Sequence, residues 1–135
     1  MSRSGYDDGI DQRDLAMWRG MVASASRGKR GQAFFVALAA AMDAMPEKAL
    51  IAHDLVRDGA YCALGVLGAA RGIDLEKIDP EDAETVAATF NIATCLAQET
   101  VFMNDEAYRN ITPQERWTKM RAWVARQVSQ PQEPK

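Results

Sequence analysis

Apolar residues recur three and four positions apart along almost the whole chain, and that period leaves few folds open. Leu15, Trp18, Met21, Val22 and Ala25 mark one such stripe, and Phe34, Phe35, Leu38, Ala41, Met42 and Met45 a second. Ile92, Cys95, Leu96, Glu99, Phe102 and Met103 form a third, and Trp117, Met120, Trp123, Val124 and Val128 a fourth. At about 3.6 residues per turn each set falls on one side of an α-helix, which must bury it against a neighbour. The pattern predicts a mostly α protein, a compact single-domain bundle of five to six helices.

Punctuation between the stripes sets the boundaries. Residues 1–10, with Gly5, Asp7, Asp8 and Gly9 close together, read as a flexible N-terminal arm. Residues 11–129 form the helical domain, and the Gln- and Pro-rich residues 130–135 a disordered tail. Asp11 offers an N-cap for a first helix ending at Arg27, before Gly28-Lys29-Arg30-Gly31 breaks it. A second helix from Gln32 to Met45 is apolar on most sides and reads as the central one. Asp79 is expected to cap a helix that starts at Pro80 and ends at Asn91. Another follows from Ile92 to Met103, with Asn104-Asp105 as its stop. Thr112-Pro113-Gln114-Glu115 is a capping box with proline at the first helical position, the clearest helix start in the chain.

The stretch between Glu47 and Leu64 fits two structures. One is a short helix from Pro46 to Gly59. The other, which we favour, is a short β-hairpin around 50–64 turning at Asp58-Gly59. In that register Leu55 faces Cys62 and His53 faces Leu64. A helix from Ala63 to Ala70 follows in either case, with Gly65 and Gly68 permitting close backbone approach.

The residue inventory narrows the chemistry. The chain has 135 residues, 47% apolar and 26% charged, enough to bury a core without metal or disulfide staples. The longest apolar run, Ala33 to Met42, is too short to span a bilayer, and the polar N-terminus carries no signal core. The expectation is a cytoplasmic protein with no membrane partner. Cys62 and Cys95 belong to no Cys-x-x-Cys pair, so buried free thiols are expected and a zinc site is not. His53 is the single histidine. In the hairpin register it shares a face with Cys62 but sits one diagonal away, too far for a good hydrogen bond.

The carboxylates Asp74, Glu76, Asp79, Glu81, Asp82 and Glu84 miss the EF-hand spacing. They read as a solvated helix start, with an acidic docking patch as the alternative. Gly28-x-x-Gly31 and Gly65-x-x-Gly68 match no phosphate loop. Glu99, on an apolar stripe, is expected to pair with an arginine of another helix. The three tryptophans, Trp18, Trp117 and Trp123, are expected in the core. The inventory therefore points away from an enzyme, with no catalytic residue, cofactor or metal assigned.

Cations gather at two places: Arg13, Arg19, Arg27, Lys29 and Arg30 early, and Arg109, Arg116, Lys119, Arg121 and Arg126 late. In a chain of net charge −3, a basic side would form if the first and last helices were neighbours. The candidate partner-binding residues are Arg27, Lys29, Arg30, Arg116, Lys119 and Arg126.

Several strings carry a resemblance across nearly the whole chain. They are Trp18-Arg19-Gly20, the run from Arg27 to Phe34, Pro46-Glu47-Lys48, Cys62-Ala63-Leu64-Gly65, Asp79-Pro80-Glu81-Asp82, Met103-Asn104-Asp105-Glu106 and the run from Thr112 to Trp117. Together they resemble a family of small uncharacterised bacteriophage and prophage proteins of proteobacteria. Cys-Ala-Leu-Gly followed by Asn-Asp is similar to a wider set of small bacterial proteins of unknown function. The resemblance implies origin on a mobile element and carries over no functional residue. Asn104-Asp105 reads as a helix cap, with a site shared with Cys62 as the alternative.

The expected function is that of a small phage-encoded accessory protein that binds and modulates a host protein or protein–nucleic-acid complex. The most concrete form is an anti-CRISPR-like inhibitor of a bacterial defence nuclease, acting by steric occlusion. The alternative is a nucleic-acid-binding accessory using the basic residues of the first and last helices. The apolar second helix is compatible with a homodimer.

Overall fold

A computed structural model of the protein describes residues 3, 4 and 12–129. Among these are six α-helices and one antiparallel ribbon of two short strands, in the order α1 (Gln12–Arg27), α2 (Lys29–Asp43), β1 (Val56–Arg57), β2 (Ala60–Tyr61), α3 (Ala63–Ala70), α4 (Ala83–Phe90), α5 (Thr94–Asp105) and α6 (Pro113–Gln127). A single 3-10 turn, Leu75–Lys77, lies between α3 and α4. The mostly helical expectation holds. No helix of the described residues is long and apolar enough to cross a membrane.

Local chemistry explains most boundaries. The capping box forms: Thr112 Oγ1 accepts from the Glu115 N–H, and the Glu115 carboxylate accepts from the Thr112 N–H, each at 3.1 Å. The hairpin is the alternative that is realised. Asp58 and Gly59 both adopt positive φ, as a tight primed turn requires, and Val56 pairs with Tyr61 and Arg57 with Ala60. The Cys62 N–H still reaches the Leu55 carbonyl, but pairing stops there. His53 bends the chain away at φ 76 and does not face Leu64 across a sheet, because α3 has already begun.

Three other boundaries shift. α2 starts at Lys29 rather than Gln32, since extended Gly28 serves as its N-cap and the break shrinks to one residue. The two helices meet tightly at that corner, where any side chain at Gly31 would collide with the Ala25 carbonyl. α4 starts at Ala83 under an Asp82 cap; Asp79 instead accepts from the Glu81 N–H, which leaves Pro80 in a turn before the helix. α5 takes in Asn104 and Asp105, which the sequence marks as a stop.

α2 is the central element, packed against α1, α3 and α6. Phe34, Phe35, Leu38 and Met42 are buried, and each such side chain contributes about 1.5–3 kcal/mol by leaving water. Trp123 meets the Phe35 ring edge-on at 5.3 Å between centroids. α3 buries Ala63 through Gly68 on every side, and Gly65 allows the Leu55 carbonyl to lie against its backbone. α5 lies against α1, α3, α4 and α6. Both cysteines are buried free thiols. Of the tryptophans only Trp123 is buried; Trp18 and Trp117 are half-buried, and Lys48 Nζ lies 5.5 Å from the Trp117 ring centre.

Arg3 and Ser4 are buried, so this part of the expected flexible arm is packed down. The rest of that arm and the expected disordered tail at 130–135 lie outside the described residues.

Candidate functional site

The six cations chosen from the sequence do not form one face. α1 packs on α5 and α2, and α6 on α2 and α5, so the bodies of the first and last helices are not close neighbours. Their C-terminal ends nevertheless converge on one side chain. The side chain is the amide of Gln32: Nε2 donates to the Ser26 carbonyl at 2.6 Å and to the Gln127 carbonyl at 2.8 Å, and Oε1 accepts from the Ser129 N–H at 2.8 Å. This knot gathers Arg27, Lys29, Arg30 and Arg126, all exposed, at one end of the bundle.

Arg116 and Lys119 lie elsewhere, about 15 and 10 Å back along α6 at 1.5 Å rise per residue. The half-buried Arg116 donates to the Asn104 carbonyl at the end of α5. Lys119 Nζ sits 4.7 Å from the centre of the Tyr108 ring. Arg116 and Lys119 therefore serve contacts within the fold, whereas Arg27, Lys29 and Arg126 make no ion pair among the described residues. Arg30 reaches only Asn91 Oδ1, at 3.4 Å.

Placing two cations in the first turn of α2 runs against the helix dipole, which favours negative charge there. Gly28 supplies no side-chain cap. This corner is thus positive from both side chains and backbone.

A second feature lies in the outer face of α1. Of its sixteen residues only Ser26 is buried. Met17 and Met21, one turn apart, are 60% and 54% exposed. Gly20, between them, faces open space. Arg13, Arg19 and Arg27 are exposed on the same helix.

At the opposite end of α5 the structure joins residues the sequence left apart. Asn104 is buried and bridges three segments: Oδ1 accepts from the Ala63 N–H at 3.1 Å, and Nδ2 donates to the Ile51 carbonyl at 2.9 Å and to Asp105 Oδ1 at 2.7 Å. Asp105 also accepts from the His53 N–H at 3.1 Å. Arg3 completes it, with Nε 2.5 Å from Asp105 Oδ2 and Nη2 2.8 Å from Oδ1. Its Nη1 lies 3.7 Å from Cys62 Sγ, and Cys62 caps α3 by accepting from the Gly65 N–H.

The electrostatics follow from burial. Burial alone would raise the Asp105 pKa, yet the Arg3 charge and hydrogen bonds, with those of Asn104 and His53, hold it below the ordinary carboxylate value. Burial likewise opposes the Arg3 charge, but Cys62 and Asp105 outweigh it and hold the guanidinium protonated. The His53 imidazole is 75% exposed, with Nδ1 3.9 Å from Asp105 Oδ2.

Asn104-Asp105 therefore does more than end a helix; it shares a polar cluster with Cys62. Arg3 was missed by sequence reasoning, because nothing local marks a partner 102 residues away. Glu99 is half-buried on α5 and has no ion pair among the described residues, contrary to expectation. Burial, with a smaller contribution from nearby Glu99, pushes the Cys95 thiol pKa up.

A separate hollow of about 600 Å³ opens between the end of α2 and the hairpin, lined chiefly by Ala41, Ala44, Met45, Tyr61, Val66 and Ala69. It is apolar and does not include His53, Cys62 or Asn104. Among the described residues no group of three or more His, Cys, Asp or Glu side chains is placed to hold a metal ion. No protein-family model, curated protein or solved structure matches the chain.

Proposed function

We propose that this chain acts by binding a macromolecule of its host cell and blocking it sterically. The observation that carries the reading is the outer face of α1, where Met17 and Met21 stand exposed on a helix that also carries the exposed Arg13, Arg19 and Arg27. Apolar side chains inside a charged rim are the usual composition of a protein-binding patch, with the apolar centre supplying affinity and the rim steering encounter. The exposed arginines of α1 favour an acidic partner surface. A bacterial defence nuclease, or its complex with nucleic acid, is the concrete partner that the phage-like strings suggest.

The test compares immobilised wild-type protein with a Met17→Glu/Met21→Glu variant in lysate of a proteobacterial host carrying such a nuclease. Retention of the nuclease by the wild type and its loss from the variant supports the reading. Equal retention by both, or by neither, refutes it.

Nucleic-acid binding is the second reading, favoured by the cluster of Arg27, Lys29, Arg30 and Arg126 at the uncapped start of α2. It predicts retention on duplex DNA at low salt that weakens steeply as salt rises and disappears in Arg27→Glu/Arg30→Glu. No retention at low salt would end it.

A further inference from the structure

We infer that the polar cluster around Asp105 is an arginine-recognition site, which residues 3–4 of the chain fill in cis and the same residues of a second copy can fill in trans. This goes beyond the α1 reading and uses different residues. Every nitrogen of the Arg3 guanidinium has a matching acceptor: two meet the two oxygens of Asp105, and the third meets Cys62 Sγ. Lysine, with a single ammonium, could not make the paired contact. The next residue is also read, since Ser4 Oγ donates to Glu106 Oε2 at 2.6 Å. The motif recognised is thus an arginine followed by a hydroxyl side chain.

The receptor half of this contact is built independently of Arg3. Asn104 and the His53 N–H aim the carboxylate, and Asn104 is itself fixed by the Ala63 N–H and the Ile51 carbonyl. α3, α5 and the loop before the hairpin therefore hold the site in shape by themselves. The inserted half is different, because residues 3 and 4 belong to no helix or strand. Their withdrawal breaks no helical hydrogen bond, and leaves a preorganised carboxylate with Cys62 beside it. A carboxylate held in place by other groups needs little rearrangement to accept a guanidinium from elsewhere.

Cys62 reports on the site, because it is 1% exposed beneath Arg3. The experiment uses the full chain in a Cys95→Ala background, so that Cys62 is the single thiol. Arg3→Ala is expected to raise the rate of maleimide labelling at Cys62 roughly tenfold or more, because a locally opened site exposes it. A synthetic peptide of residues 1–6 is then expected to restore protection and to bind the Arg3→Ala chain with a Kd below about 1 mM. The same peptide with alanine in place of arginine should do neither. Circular dichroism checks that the variant keeps its helices.

Unchanged labelling in a folded Arg3→Ala chain overturns the inference, and so does a peptide that neither binds nor protects. Light scattering then tests the filling in trans. A wild-type dimer that becomes monomeric in Arg3→Ala assigns the arm of a second copy. A monomer in both, with peptide binding intact, leaves the site filled in cis alone and overturns the filling in trans. Loss of the α1 patch in Met17→Glu/Met21→Glu leaves this peptide binding untouched, so the two readings fail separately.

Discussion

The two ends of α5 handle charge in opposite ways. At its C-terminal end a carboxylate and a guanidinium are almost wholly removed from water, with side-chain exposures of 2% each; they bond to each other, and the carboxylate also accepts from Asn104 and the His53 N–H. Near its N-terminal end, where Arg30 reaches Asn91, the cations of the α1–α2 corner stand in solvent. Burial makes the first arrangement a matter of stability, since each lost partner leaves a polar group stranded in a poor solvent. Exposure makes the second nearly free of stability consequences and available for encounter. Charge count alone would have ranked the basic corner as the more consequential end. Depth, and the number of segments joined, reverse that ranking for the fold.

The sharpest way to break the comparison is Asn104→Leu. The change removes the acceptor of the Ala63 N–H, the donor to the Ile51 carbonyl and one donor to Asp105. At about 1–3 kcal/mol for each stranded buried group, the expected loss is about 3–5 kcal/mol. Urea unfolding followed by circular dichroism measures it. A loss below about 1 kcal/mol would show that water replaces the carboxamide and that this end is more open than its burial indicates.

Arg3→Ala comes next, at about 1–3 kcal/mol, because Asp105 keeps Asn104 and His53 as donors and water can enter behind the lost side chain. The pH dependence gives an independent check. Asp105 has its pKa lowered by folding, so its contribution is present above the unfolded carboxylate value and fades as pH falls through the folded one. Arg3→Ala removes the strongest of the lowering influences. The wild type should therefore gain more stability than the variant as pH rises from the acid limit to about 5, where unfolded aspartate is ionised. Equal slopes in the two proteins would place the acid sensitivity elsewhere.

These effects also mark what a reader of the sequence could and could not see. The stripe through Phe34, Phe35, Leu38 and Met42 and the capping box at Thr112 are local patterns, and the helices they predict are present. The Asp58-Gly59 turn selects the hairpin for the same reason, because both residues tolerate positive φ. Asp79 misled because two good caps lie three residues apart, and the choice of Asp82 depends on which one meets a free N–H in the folded chain. The pairing of Arg3 with Asp105 joins distant parts of the chain and needs the burial of both to be recognised. Nor could helical spacing alone say that the stripe of α1 would be less deeply buried, since it resembles those of the buried helices.

The basic corner yields a smaller effect of opposite sign. Lys29 sits in the first turn of α2, where the dipole disfavours a cation. Lys29→Glu should therefore stabilise the protein, by about 0.3–1 kcal/mol at low salt, with the gain shrinking as salt is added. Thermal denaturation at two ionic strengths measures both. The same change should weaken any binding of DNA, so stability and binding would move in opposite directions. A residue kept for the fold would lose both together.

Met17→Gln with Met21→Gln has the smallest expected effect on the fold. Both side chains are more than half exposed, and surface substitutions of this kind usually stay within about 0.5 kcal/mol. Glutamine also has nearly the helix propensity of methionine, so α1 itself should persist. An unchanged urea midpoint together with lost partner capture would assign these methionines to recognition. A destabilisation above about 1 kcal/mol would instead mean that the outer face of α1 is covered in solution, with the exposed corner at Arg27 and Lys29 then the open end that remains.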